Sequence, residues 1–162
     1  MVVFAYEHRE SSRPKRCLRF VRKFAITPIE VLKPHEDVDP HRLSSLTREI
    51  GLDGVLKRPI VADHRTNVVL DGHHRLQALK LLGCRLIPVI YVDYMDSRII
   101  VKTYRESIEL TKDIIVEAGL KGHLFPPKTS KHMVLKGSDL THISEFEKPV
   151  HIPLSRLRKP IR

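Results

Sequence analysis

A strand that turns directly into a helix at Asp71 and Gly72 constrains the fold of this chain more than any other feature. Residues 68–70 form a short apolar run typical of a strand. Leucines then recur at helical spacing over 76–82, directly before a glycine that marks a helix end. A helix that starts this abruptly leaves unpaired backbone N–H groups at the positive end of its dipole. The junction therefore predicts an α/β fold with an anion-binding position at the start of this helix.

The residue types at this junction favour phosphate as the anion. Gly72 permits close backbone approach, and His73, His74 and Arg75 bring side-chain donors to the first helical turn after Asp71. The alternative is that Asp71 only caps the helix and that the two histidines lie on the surface. A metal site is disfavoured, because adjacent histidines on a helix diverge and no third ligand has suitable spacing.

Hydrophobic spacing predicts the elements around the junction. The predicted elements are a short strand running into a loop over 26–38, a first helix at about 40–50, a hairpin of 59–62 and 68–70, a buried strand at 86–92, an amphipathic helix from about 108 to Gly119, and a further strand at 133–135.

Glu36 is the second candidate for a chemical role. It lies in a loop that begins at Pro34, where an acidic side chain is ordinarily solvated. If the sheet brings this loop toward the first turn of the second helix, Glu36 can accept a proton beside a bound phosphate. That arrangement suits phosphoryl transfer to a hydroxyl group.

The chain length and apolar pattern limit the protein class. A chain of 162 residues fits one domain over 1–162. No apolar run approaches the ~18 residues of a membrane span, and the N-terminus has no leader pattern, so we expect a cytoplasmic protein. Cys17 and Cys84 are too few and too far apart for a disulfide framework or a CxxC metal site.

The net charge of +10 is concentrated at the two ends. Residues 9–23 carry seven basic and one acidic side chain, residues 148–162 carry five basic and none acidic, and residues 24–147 carry seventeen of each. These basic terminal segments are either solvated arms or contacts for a nucleic acid or another polyanion.

The segment from about 26 to 92, with Leu32-Lys33-Pro34-His35-Glu36 and Asp71-Gly72-His73-His74-Arg75, resembles the ParB/sulfiredoxin superfamily. Within it, the chain is most similar to the free L-serine kinases, which make O-phospho-L-serine from serine and ATP or ADP. A fainter similarity extends over 126–132 to that family's Pro-Lys-Thr-Thr-Arg-His segment. The resemblance implies an α/β (α+β) domain with a small mixed sheet flanked by helices.

The resemblance also implies roles for individual residues. Glu36 matches the proposed general base, residues 71–75 match the nucleotide-phosphate segment, and Mg²⁺ is expected to bridge phosphate oxygens. Serine would be held by residues of the 126–132 segment, for which the candidates are Lys128, Thr129, Ser130 and His132. The family also places an aromatic residue near the serine, and Tyr104 is the candidate for it. For Tyr104, a role in core packing is an equal alternative.

Departures from the other superfamily members separate the possible functions. Sulfiredoxins require a cysteine where this chain has His73, which excludes peroxiredoxin repair. ParB proteins carry Gly-Glu-Arg-Arg at this junction and continue into a helix-turn-helix that the sequence does not show. A non-catalytic, nucleotide-dependent DNA- or RNA-binding protein remains the rival hypothesis, and Ser130 and Lys131, which replace threonine and arginine, leave the substrate open.

Overall fold

The computed structural model describes residues 20–159. Its strands are β1 (Val21–Pro28), β2 (Val55–Leu56), β3 (Ile60–Asp63), β4 (Val69–Asp71), β5 (Leu86–Val92), β6 (Ile99–Thr103), β7 (Ser130–Lys136), β8 (Asp139–His142) and β9 (Ile152–Pro153). Its α-helices are α1 (Pro40–Asp53), α2 (His73–Leu81), α3 (Lys112–Lys121) and α4 (Leu154–Leu157), and 3-10 turns cover Ile29–Val31 and Ile143–Phe146.

A mixed four-stranded sheet in the order β1-β5-β3-β4 organises the core. Strands β3 and β5 are parallel, whereas β1 pairs with β5 and β4 with β3 in antiparallel fashion. Because side chains alternate between the two faces of a strand, Ile60 and Ala62 enter the core cluster that includes the buried residues of α1 and α2, whereas Val61 enters a second cluster. That second cluster also contains Ile115 of α3 and Val134 of β7. The predicted small mixed sheet flanked by helices is confirmed.

A three-stranded antiparallel sheet, β6-β7-β8, packs against the second cluster, to which its strand β7 contributes Val134. Its register pairs Thr103 with Ser130. Tyr104 follows directly, and its N–H donates to the carbonyl of Thr129 at 3.1 Å. This pairing brings two segments that are distant in sequence to one end of the sheet.

Several predicted elements are confirmed and others have different limits. The hairpin is formed by β3 and β4, and the strand at 86–92 is β5. Helix α1 continues past 50, because Gly51 lies inside it and the left-handed residue that ends it is Gly54. Helix α3 begins later than predicted, because the Thr111 side chain caps it by accepting from Ile114 N–H. The strand predicted at 133–135 is longer and begins at Ser130.

The C-terminal basic segment is partly folded into the protein. Residues 148–159 include β9 and α4, and Leu154 and Leu157 of α4 are buried in the first core cluster. Most of the other basic segment, together with Cys17 and residues 160–162, lies outside the described residues. Within residues 20–159, no helix is long and apolar enough to span a membrane.

Candidate active site

A cleft of about 730 Å³ opens where the main sheet and the three-stranded sheet meet. Its walls are the loop before α1, the first half of α1, the start of α2, the loop before β7 and the segment after β8. Glu36, residues 71–75, Tyr104, Lys128 and Ser130 all line it. The volume is within the range of small-molecule binding sites.

Two backbone bridges position Glu36 in this cleft. The bridge between Lys33 and Val68 fixes the start of its loop along the edge of β4. The bridge between Glu36 and Phe125 fixes the loop end, with Asp37 N–H donating to the Phe125 carbonyl at 2.8 Å. The loop that carries Glu36 is therefore held between β4 and the segment that leads into β7.

The carboxylate of Glu36 accepts three hydrogen bonds from the loop before β7 and from the first residue of β7. Oε1 accepts from Lys128 N–H at 2.7 Å, and Oε2 accepts from the N–H and the hydroxyl of Ser130, each at 2.8 Å. Lys128 has a φ of 57°, a left-handed conformation that is uncommon outside glycine. Such backbone outliers are found disproportionately at functional sites, where surrounding contacts hold them in place.

The first turn of α2 faces the cleft without a side-chain cap. Its N-cap is Gly72, at a φ of 97°, and among residues 20–159 no side chain accepts from the first N–H groups of the helix. A Cβ on Gly72 would lie 2.4 Å from Cγ2 of Ile60, so a larger residue does not fit there. The alternative that Asp71 only caps the helix is wrong, because the N-cap is Gly72 and the Asp71 carboxylate pairs with Arg75 instead.

His73 and His74 both present neutral rings at this turn. His74 Nε2 accepts from Asp39 N–H at 3.1 Å, so its Nδ1 carries the ring hydrogen. Burial, and then the nearby Arg42, lower the pKa of His74. Burial also lowers the pKa of His73, whose Nε2 is buried and has no hydrogen-bond partner within the described part of the chain. Neither histidine is a plain surface residue.

The guanidinium of Arg75 is paired with two carboxylates. Its guanidinium forms two hydrogen bonds of 2.7 Å with Glu147, contacts Asp71 at 2.9 Å, and donates to the Pro59 carbonyl. Burial raises the pKa of Glu147 above its ordinary value, and the adjacent Asp71 contributes to the shift. The three side chains form an ion-pair network at the base of the cleft.

Two further histidines are buried behind the cleft wall. His35 donates from Nδ1 to the Val69 carbonyl at 2.8 Å, and burial lowers its pKa to about 4. His132 Nε2 lies 2.9 Å from the Tyr94 hydroxyl, and burial lowers the pKa of His132 to about 3. Both rings are neutral at pH 7, and His35 bonds to the backbone of β4.

The residues predicted to contact serine separate into two groups. Lys128, Ser130 and Tyr104 line the cleft, and Tyr104 is 55% exposed, which rules out core packing for it. Thr129 is fully buried, and its hydroxyl donates to the Pro126 carbonyl. His132 is 2% exposed. Thr129 and His132 therefore support the cleft wall from behind.

Sequence reasoning missed Arg42, Arg58 and Glu147 as cleft residues. Arg42 and Arg58 line the cleft, and the ion pairs found among residues 20–159 do not include them. In the sequence they look like ordinary surface charges of a helix and a loop. Glu147 follows the 3-10 turn Ile143–Phe146, and nothing local in the sequence connects it to Arg75.

Comparisons with known proteins agree with this fold. The profile of the ParB N-terminal domain matches residues 14–108, more than half of the chain. A protein of Staphylothermus marinus named ATP-dependent L-serine kinase is 33% identical over 117 residues, 69% of this chain and 46% of that protein. A protein of Sulfolobus acidocaldarius named ParB-like protein is 35% identical over 77 residues, 48% of this chain and 38% of that protein.

A solved structure described as a free serine kinase in complex with AMP superposes with a TM-score of 0.66. The superposition covers 85% of this chain and 96% of that one at 14% identity, which shows a shared fold. The chain spans less than half the length of the two curated relatives.

Proposed function

The chain belongs to the ParB N-terminal domain family, and we propose that it phosphorylates the hydroxyl of free L-serine to O-phospho-L-serine with ATP or ADP as donor. The observation that carries this proposal is that Glu36 and the uncapped first turn of α2 line the same cleft. One group accepts a proton and the other binds phosphate, and phosphoryl transfer to an alcohol needs both. The names of the Staphylothermus relative and of the superposed structure support the choice of serine as acceptor.

The nucleotide phosphates lie on the first turn of α2 in this proposal. The free N–H groups of the turn and the Nδ1–H of His74 donate to phosphate oxygens, and Gly72 allows the close approach. Arg42 and Arg58, which line the same cleft, add positive charge. Arg75 and Asp71 contribute indirectly, because their mutual ion pair and the pairing of Arg75 with Glu147 hold the turn in place.

Glu36 acts as the general base. Its three hydrogen bonds to Lys128 and Ser130 fix the carboxylate in the cleft. The serine hydroxyl gives its proton to Glu36 as its oxygen attacks the terminal phosphorus, and the nucleotide leaves with one phosphoryl group fewer. If ADP is the donor, the leaving product is AMP, the nucleotide named in the superposed structure.

In this proposal the amino acid lies next to Glu36, in contact with Lys128, Ser130 and Tyr104, which line the same cleft. Lys128 supplies a cation for the serine carboxylate, Ser130 supplies a hydroxyl, and the ring of Tyr104 closes one side. The ammonium of Lys131 lies 5.4 Å from the centre of that ring. Thr129 and His132 keep the loop and β7 in place from behind.

Mg²⁺ is expected on the nucleotide. The described residues contain no group of three or more histidine, cysteine or acidic side chains that could hold a metal ion. Mg²⁺ ordinarily binds with nucleotides through phosphate oxygens and water, with few protein ligands. When bound, Mg²⁺ would offset phosphate charge, and the partly buried Asp71 is a carboxylate that lines the cleft beside this position.

The direct test is product formation. The protein is incubated with L-serine, Mg²⁺ and either ATP or ADP, and O-phosphoserine is followed by ³¹P NMR, with homoserine and threonine as alternative acceptors. We expect O-phosphoserine with at least one nucleotide. Its absence with both, at moderate and at high temperature, contradicts the proposal and favours the nucleotide-dependent DNA- or RNA-binding function.

A further inference from the structure

Ser130 contacts two proton acceptors through one hydroxyl. Its Oγ lies 2.8 Å from Glu36 Oε2 and 2.9 Å from His35 Nε2. Because the Val69 carbonyl can only accept, His35 carries its ring hydrogen on Nδ1, and Nε2 of the neutral ring is an acceptor. The single hydroxyl hydrogen of Ser130 therefore faces a carboxylate and an imidazole lone pair.

This geometry is that of an activated nucleophile. The criterion is a hydroxyl within about 2.6–3.2 Å of a base that a third group orients. His35 is oriented by the Val69 carbonyl at 2.8 Å, and Glu36 is oriented by the N–H groups of Lys128 and Ser130. Ser130 meets the criterion with both bases.

Ser130 also lies close to where a substrate hydroxyl must be. A hydroxyl that gives its proton to Glu36 lies within hydrogen-bond reach of that carboxylate, as Ser130 Oγ does. Ser130 lines the same cleft as the first turn of α2. The Ser130 hydroxyl therefore shares one cleft with the position that we propose for the nucleotide phosphates.

We propose that Ser130 is itself phosphorylated by the bound nucleotide when no amino acid occupies the cleft. Ser130 Oγ forms a bond to the terminal phosphorus, the bond between that phosphorus and its bridging oxygen breaks, and the hydroxyl proton goes to Glu36. The nucleotide leaves with one phosphoryl group fewer. This inference rests on the proposed nucleotide-dependent phosphoryl transfer.

The modification has a defined consequence. A phosphoserine carries about −1.5 to −2 charge at pH 7. Placed beside the Glu36 carboxylate, that charge repels a second nucleotide phosphate and occupies the space of the substrate hydroxyl. The phosphorylated protein is then unable to phosphorylate free serine, and free serine in the cleft protects Ser130.

The test is mass spectrometry of the whole chain after incubation with Mg²⁺ and ATP or ADP in the absence of serine. We expect the mass of one added phosphoryl group, mapped by peptide analysis to Ser130 and suppressed by added L-serine. Ser130→Ala abolishes it, Ser130→Thr moves it to the threonine, and Glu36→Gln slows it by ~10²-fold or more.

Ser144 provides the matched control. It lines the same cleft and bonds to His142 Nδ1 at 2.8 Å, and the hydrogen bonds described for its hydroxyl include no carboxylate. Ser144→Ala is expected to retain the modification at Ser130. Phosphate on Ser144, or an unmodified wild-type chain, overturns the inference.

A parallel assay of O-phosphoserine separates the two proposals. O-phosphoserine without modification of Ser130 overturns this inference alone. Modification of Ser130 without O-phosphoserine supports the inference and refutes free serine as the acceptor. Neither product refutes both.

Discussion

Replacement of Arg75 by alanine tests whether this residue is mainly an ion-pair partner. The Arg75 side chain is 17% exposed and that of Glu147 is 2% exposed. Alanine removes the two bonds to Glu147 and the contact with Asp71. Two neighbouring carboxylates then lie at the base of the cleft without their cation.

The expected loss of stability is large for one substitution. Removing one partner of a buried ion pair costs about 3–5 kcal/mol, because the other charge is left uncompensated. We expect a value near 3 kcal/mol, because the raised pKa of Glu147 allows that group to take up a proton. For a chain of this size, a loss of about 3–5 kcal/mol lowers the melting temperature by about 6–20 °C.

The assay is urea unfolding followed by circular dichroism at pH 7, with Arg22→Ala as the control. Arg22 also pairs with a carboxylate, Asp93 at 2.6 Å, but it is 47% exposed, so we expect a loss of only ~0–1 kcal/mol. Adding Glu147→Gln to Arg75→Ala recovers part of the stability, because it removes an uncompensated acid. A loss as small as that of Arg22→Ala, accompanied by weaker nucleotide binding of ~1.5–3 kcal/mol, instead makes Arg75 a direct phosphate ligand.

Three further predictions concern charge. Burial lowers the pKa of His132 to about 3, so between about pH 6.5 and 3 the unfolded chain binds a proton that the folded chain does not. Acid therefore destabilises the folded protein in this range, by ~1.4 kcal/mol per pH unit from this histidine. Urea unfolding at several pH values should show that His132→Gln removes this contribution from the pH dependence of the unfolding free energy. Arg42→Ala should weaken nucleotide binding by ~1.5–3 kcal/mol in calorimetry, whereas Arg48→Ala, on the same helix but outside the cleft lining, should not; equal effects contradict the assignment. If the basic side chains of 9–23 and 148–162 contact only solvent, duplex DNA binding should be non-specific and fall steeply with salt, and a sequence-preferring, salt-tolerant complex supports the rival function.

Local patterns in the sequence predicted the elements with strong periodicity. The hairpin of β3 and β4, strand β5 and the start of α2 depend on neighbouring residues, and all three agree with the structure. Strand β6 and the two-residue strand β9 were missed. Their pairing depends on partners that are distant in sequence, such as β7 for β6 and β2 for β9.

The site was predictable where a motif is contiguous. Residues 71–75 and Glu36 were identified from their local context, and the structure places them along one cleft. The partner of Arg75 was not predictable, because Glu147 is 72 positions away in a segment with weak signals. Only the folded arrangement reveals that Arg75 pairs with two carboxylates.

The most direct measurement compares Glu36→Gln with the wild type in O-phosphoserine formation and in nucleotide affinity. Glutamine keeps the size of the side chain but does not accept a proton at neutral pH, so turnover should fall by ~10²–10⁴-fold. Nucleotide affinity should hold or rise slightly, because a negative charge near the phosphates disappears. Glu36→Asp, which retracts the base by ~1 Å, should lose less activity than Glu36→Gln. Near-full turnover in Glu36→Gln contradicts the account, and loss of nucleotide binding in that variant assigns Glu36 a structural or Mg²⁺-linked role instead.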